Sequence, residues 1–271
     1  MKKLVWNNEK NYTPQLIKQR IFFIKKNMKS TMPLCGREQK LLIKYADKNN
    51  IPHDELISLR NSLKIQSDIN NSQNYRIKLS DIKKKFTDLV EKNYYNDSFE
   101  LKIENFFKSL DISLDIVLKV INKTYHYKKY HLDKIPFIKN LNETLIIKNQ
   151  EQRIKSRRFE ISLEKYLTKN DVSFLTEQDI IKNKINRLTP DILFESPVII
   201  VLNGSEYAIH WMDAKNYTLT KIPYILKNVK KQTSKYYDAF GLGALVFHYG
   251  YDKTINIPGA IILDGSFLDH Q

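Results

Sequence analysis

Asn203 and Gly204 stand between two strand-like runs, residues 198–202 and 206–213. An Asn-Gly pair accepts the left-handed dihedrals of a two-residue turn, so the runs are expected to pair as an antiparallel hairpin. A helical pattern over about 223–237 and a further apolar strand over 244–249 follow. Upstream lie a helical stripe over about 156–167 and short strand-like runs at 172–175 and 191–194. Helix, strands, hairpin, helix and strand in this order indicate a mixed α/β layer fold.

The preceding part reads differently. Apolar periodicity over 14–24, 37–46 and 82–90 predicts helices, separated by Asn, Ser and Asp punctuation. The Asn-rich stretch 68–75 has little to bury and is expected to form a loop or linker. The chain is therefore expected to divide into a basic helical region, 1–150, and an α/β domain, 151–271. Through residue 150 there are 29 basic and 16 acidic residues, a net +13 of the chain's +15; the rest carries 16 and 14, a net +2. A basic region can neutralise phosphates and release counterions, which points to nucleic acid, although a merely solvated face has the same composition.

Within the basic region, residues 101–125 resemble a helix-turn-helix. The first helix ends near Ser109 and Leu110, Asp111 and Ile112 form the turn, and Ser113 caps a second helix with Asp115 in its first turn. Val117, Val120 and Ile121 supply its inward stripe, while Lys119, Lys123, Lys128 and Lys129 gather at and beyond its far end, interleaved with Tyr125, Tyr127 and Tyr130. Two uses fit: a helix in a major groove with the lysines on phosphates, or an ordinary helical hairpin.

Other classes are excluded. One cysteine, Cys35, forms no internal disulfide, and one thiol with scattered histidines assembles no zinc finger. No apolar run reaches the ~18 residues of a membrane span, and the start of the chain lacks a signal-peptide core. A non-membrane protein of an intracellular, reducing compartment is expected.

The chemistry concentrates where the hairpin ends. Alternation along a strand puts Tyr207, Ile209, Trp211, Asp213 and Lys215 on one face, with Asp213 and Lys215 about 7 Å apart at Cα. A carboxylate beside an ammonium suits metal-assisted hydrolysis. The same acidic-x-Lys spacing recurs at 38–40, 81–83 and 100–102, so its surroundings decide. Thr189-Pro190-Asp191 opens the strand at 191–194, proline favouring extended geometry before it, and presents Asp191 as a second acid. On the upstream helix Glu160 borders the stripe of Phe159, Leu163, Tyr166 and Leu167, and Glu164, one turn on, competes for the same part.

Glu160, Thr189-Pro190-Asp191 and Asp213-Ala214-Lys215, in this order on these elements, resemble the PD-(D/E)XK nuclease superfamily, and within it the TPD-motif family, which includes the codanin-interacting nuclease of animals. The resemblance spans about 153–263, and the helical part before it is similar in layout. It implies a Holliday-junction-resolvase-like core and hydrolysis of phosphodiester bonds with Mg²⁺ or Mn²⁺. On that basis the core would be built on a mixed sheet, Asp191 and Asp213 would be metal ligands, Glu160 would bind metal or position water, Lys215 would assist the attacking water, and Gln232, with Tyr236 after it, would be the extra glutamine of resolvase-like members. Asp213 stands where Glu is expected in animal relatives, and the glycine expected shortly before Glu160 is missing. DNA, branched or structured, is the expected substrate, with RNA as the other polymer. The resemblance also implies a codanin-like protein partner and, with the basic clusters, a nuclear place; a cytoplasmic place and a homodimer are further expectations. The alternative function is a catalytically inactive scaffold that binds DNA or protein.

Overall fold

A computed structural model describes residues 2–28, 36–110 and 112–270; Cys35 and Asp111, the expected turn residue, lie outside them. In chain order the elements are β1 (Lys3–Val5), β2 (Asn11–Tyr12), α1 (Pro14–Asn27), α2 (Gly36–Lys48), α3 (His53–Asn70), α4 (Ser72–Asn93), α5 (Phe99–Lys108), α6 (Leu114–Ile121), α7 (Tyr125–Lys129), α8 (Pro136–Lys169), β3 (Phe174–Thr176), α9 (Glu177–Lys182), β4 (Ile192–Leu202), β5 (Ser205–Lys215), α10 (Pro223–Phe240), β6 (Gly243–Phe247), β7 (Tyr251–Asp252) and β8 (Ala260–Asp264). The chain is mixed α/β, helical in its first part, with a mixed sheet. Among the described residues no helix is long and apolar enough to cross a membrane.

Two compact units form, and they do not divide at residue 150. One gathers Met1–Ile24, Lys44–Ser62 and Arg153–Gln271; the other holds Lys25–Ile43 and Leu63–Gln152. The N-terminal segment joins the C-terminal one because β1 pairs parallel with β4, Lys3 opposite Ile199. Trp6 is then buried and donates its indole N–H to the Asp264 carbonyl at 2.8 Å. The charge asymmetry shrinks with this division. The sheet unit carries 24 basic and 17 acidic residues and the helical unit 21 and 13, net +7 and +8.

In the sheet unit the strands run β1-β4-β5-β6-β8, with β3 also on β4. The β4–β5 hairpin is antiparallel; β5–β6 and β6–β8 are parallel. Its turn is the expected one, Asn203 at φ 50° and Gly204 at φ 80°. The two runs at 191–194 and 198–202 are one strand, irregular between Leu193 and Val198. Pro197 lies in that stretch, where its missing N–H breaks no regular ladder. β3 pairs with β4 before this irregularity and β1 after it.

One core joins Phe159, Leu163 and Leu167 of α8 to Ile192, Phe194, Val198 and Ile200 of β4 and to Met212 and Val246. Gly265 is required here, since a Cβ would stand 2.6 Å from the Phe159 ring. Helix α10 buries Ile225, Val229, Thr233 and Tyr236, and Trp211 meets Tyr236 at 5.1 Å between rings. The single face expected for Tyr207, Ile209, Trp211, Asp213 and Lys215 is therefore broken. Tyr207 and Ile209 pack into the α8 core while Trp211 turns to α10, because the β4 irregularity opposite His210 shifts the alternation.

The helical unit has its own core, including Phe86 and Val90 of α4, Phe107 of α5, Leu114, Val117 and Ile121 of α6, and Ile138 of α8. Residues 68–75 are not a loop: α3 reaches Asn70 and α4 begins at Ser72. Tyr75 is buried and donates its hydroxyl to Asp68 at 3.1 Å, so tertiary contacts supply what the local composition lacks. Asp68 also draws the Ser113 hydroxyl, at 2.6 Å, and Ser113 therefore does not cap α6 with its side chain. Leu118 faces inward with Val117 and Ile121, and Val120 is only partly buried. The helix expected at about 156–167 is the last part of the 34-residue α8.

Candidate active site

The site lies where β4 starts and β5 ends. Ile192 pairs with Met212 in the antiparallel register, so one step further Asp191 stands across from Asp213. Asp191 Oδ2 accepts the backbone N–H of Ala214 at 2.7 Å. Pro190 is buried and Asp191 is the last residue before the strand. Asp213 is 3% exposed, held between β4 and β6, where it pairs with Leu245.

Lys215, two residues on, forms an ion pair with Asp213 and donates to Gln232 Oε1 of α10 at 2.9 Å. Gln232 Nε2 donates to the Tyr236 hydroxyl at 3.0 Å, and that hydroxyl donates to the Thr189 carbonyl at 3.0 Å. Lys215, Gln232, Tyr236 and Thr189 thus form one hydrogen-bonded chain that ties the end of β5 to the start of β4 through α10. The Thr189 hydroxyl donates to Glu177 Oε1 at 3.0 Å, anchoring the approach to Pro190.

Electrostatics follow from burial and proximity. Burial first, and then the Asp213 charge, push the Asp191 carboxyl well above the usual carboxylate range; Lys215 and the Ala214 N–H pull it back, and Glu160 adds to the rise. Burial works against the Lys215 ammonium, but Asp213 and Asp191 together hold it above the ordinary lysine value. The Tyr236 hydroxyl is pushed up to about 12 by burial and then by Asp213, so it stays a donor.

Asp191, Asp213, Lys215 and Gln232 come together. Glu160 is at the margin: its charge reaches Asp191, but its carboxylate is bound by Arg157 at 3.0 Å. Arg157 also binds Glu164, at 2.9 Å. Of the two helix acids, Glu160 is the one whose charge raises Asp191. Lys119, Lys123, Lys128 and Lys129 are all exposed and belong to the helical unit. Sequence reasoning missed the bond from Tyr236 to Thr189, although the Gln232 to Tyr236 spacing of one helical turn was visible. It also missed Asn216, which meets the His248 ring nitrogen at 2.7 Å, with His248 stacked on Phe159 at 4.4 Å; no local signal marks these.

Among the described residues no three His, Cys, Asp or Glu side chains stand together in a group that could hold a metal ion. The donor set nonetheless suits a hard divalent cation in kind. Two carboxylates share one partly buried site, and the buried Asp213 Oδ2 has the Lys215 ammonium as its contact.

Fold and site together define an α/β protein in which a Thr-Pro-Asp turn into one strand faces an Asp-Ala-Lys strand end across a hairpin. The family model described as "Protein of unknown function TPD sequence-motif" matches residues 133–266. Similarity extends over the whole chain in the uncharacterized protein L539 of Acanthamoeba polyphaga mimivirus, 46% identical over 270 residues, which are 100% of this chain and 98% of that protein. The chain belongs to the TPD sequence-motif family. No solved structure matches it.

Proposed function

We propose that the sheet unit is a PD-(D/E)XK, Holliday-junction-resolvase-like core and that the chain is a divalent-metal-dependent nuclease acting on DNA. The observation that carries this reading is Asp191 standing across from Asp213, with Lys215 linked to Gln232. Asp191 and Asp213 would hold Mg²⁺ or Mn²⁺, and Glu160 would join them once parted from Arg157. When bound, the cation supplies neutralising charge to the phosphoryl oxygens.

The protein's own groups do the rest. Hydrolysis forms one P–O bond to a water oxygen and breaks one ester P–O bond, the departing oxygen leaving as an alcohol with a proton that water gives up, and negative charge grows on the phosphoryl oxygens between the two events. Lys215, kept cationic by its acids, offers charge and N–H donors to that region. Gln232 fixes the ammonium from the other side, and Tyr236 fixes Gln232. The fold's own dipoles keep Asp191 aligned through Ala214. The net positive charge of both units favours a polyanionic substrate.

Labelled DNA duplexes and forks incubated with Mg²⁺ or Mn²⁺ test this. Cleavage is expected in the wild type and should fall on the order of 100-fold or more in Asp213→Ala and in Lys215→Ala, while DNA binding persists. Cleavage that survives both substitutions overturns the assignment. The engagement of Glu160 by Arg157 favours the catalytically silent scaffold as the second reading; binding of Mn²⁺ by calorimetry, lost in Asp191→Ala, would decide against it.

A further inference from the structure

The helical unit carries a run of aromatic rings of which Tyr94 and Tyr130 pack against its core while Tyr95 and Tyr125 stand outside it. Tyr95, 92% exposed, meets Tyr94 edge-on at 5.1 Å between centroids, and Tyr94 lies 4.4 Å from Tyr130. The Lys129 ammonium sits over the Tyr130 ring at 5.1 Å and over Tyr125 at 5.6 Å, and Tyr125 is 67% exposed. Rings left in water gain nothing from hydrophobic burial, so Tyr95 and Tyr125 are not explained by folding. Lys128 and Lys129 are exposed, and among the described residues neither has a carboxylate partner. Glu91, Lys92 and Asp97 line a cleft of about 300 Å³ with Tyr94 and Tyr95. Glu91 is bound to the His126 ring at 2.7 Å.

Duplex reading by α6 has little to work with. The helix is eight residues long and turns Leu114, Val117, Leu118 and Ile121 inward. Its Asp115 is tied to Lys64 at 2.9 Å. Free ring faces beside lysines suit another form of nucleic acid, since the faces of paired bases are covered by their neighbours and those of unpaired bases are not. We propose that this platform binds single-stranded DNA, with unpaired bases stacked on Tyr95 and Tyr125 and the strand's phosphates on Lys128 and Lys129. The choice of DNA rests on the nuclease reading above; the stacking itself does not.

Fluorescence anisotropy of the full chain in EDTA, with labelled oligo-dT of about 15 nucleotides, tests the platform apart from cleavage. Oligo-dT should bind more tightly than a duplex of equal length. Tyr95→Ala and Tyr125→Ala should each weaken it at least about fivefold, while Tyr95→Phe and Tyr125→Phe retain wild-type binding. Lys129→Ala should reduce the salt slope by about 0.7. Alanine variants that bind as the wild type does, or that lose duplex binding equally, overturn the proposal. Oligo-U bound more tightly than oligo-dT overturns the choice of DNA. A protein that binds in this way but cleaves nothing overturns the nuclease reading alone, and one that cleaves with unaltered binding in the alanine variants overturns the platform alone.

Discussion

Asp191 accepts the backbone N–H of Ala214, the residue between Asp213 and Lys215, at 2.7 Å. That bond ties together the Thr-Pro-Asp and Asp-Ala-Lys segments, 22 residues apart at their acids, which the hairpin register sets side by side. It also fixes Asp191 without using up its second carboxylate oxygen.

The chain from Lys215 through Gln232 and Tyr236 to the Thr189 carbonyl predicts that α10 positions the ammonium. Tyr236→Phe removes two hydrogen bonds at once and should cost about 1–2 kcal/mol in urea denaturation. Gln232→Ala should leave the fold intact and lower cleavage about tenfold through kcat rather than KM, as expected when a group that orients Lys215 is lost. Unchanged kcat in Gln232→Ala would contradict the positioning role.

A pH dependence follows from Asp191. Its carboxyl is raised by burial and by Asp213, so the folded chain favours the neutral acid. The associated stability is fully present below the ordinary value of 3.8 and is lost as pH rises through the higher folded-state value. In EDTA, Asp191→Asn keeps an oxygen for the Ala214 N–H and removes the ionisation. It should be more stable than the wild type at pH 8, with the difference vanishing toward pH 4. Equal stability of the two proteins at pH 8 would contradict this.

Trp211, two residues before Asp213, is fully buried and donates its indole N–H to the Gly241 carbonyl at 2.9 Å. A Cβ at Gly243 would stand 2.0 Å from that indole. Gly243→Ala must therefore displace the ring or the strand, and should destabilise by about 1–3 kcal/mol in unfolding followed by tryptophan fluorescence. Cleavage should fall as well, because β6 pairs with the site strand from Met212 to Lys215.

Much of this was legible because its signals are local. Asn203-Gly204 fixes the hairpin by turn chemistry, and the hairpin fixes the register that sets Asp191 across from Asp213. What was not legible is set by distant partners. Lys3–Val5 has no pattern that names β4 as its neighbour, and the polar stretch before Ser156 gives no hint that it continues α8. Residues 68–75 are helical on either side of Asn71 because Asp68 finds Tyr75 and Ser113, a tertiary outcome that overrides composition. The break in β5 alternation depends on an irregularity in β4, and Ser113 loses its capping role to an acid 45 residues away.

The proposed nuclease activity requires Asp191 and Asp213 to share one divalent cation. Diffraction from crystals soaked in Mn²⁺, read from the anomalous difference map, measures this directly. The expected result is a peak about 2.0–2.6 Å from a carboxylate oxygen of each aspartate, with the Asp213–Lys215 contact opened. Saturating Mn²⁺ that leaves the position between them empty while binding elsewhere would contradict it.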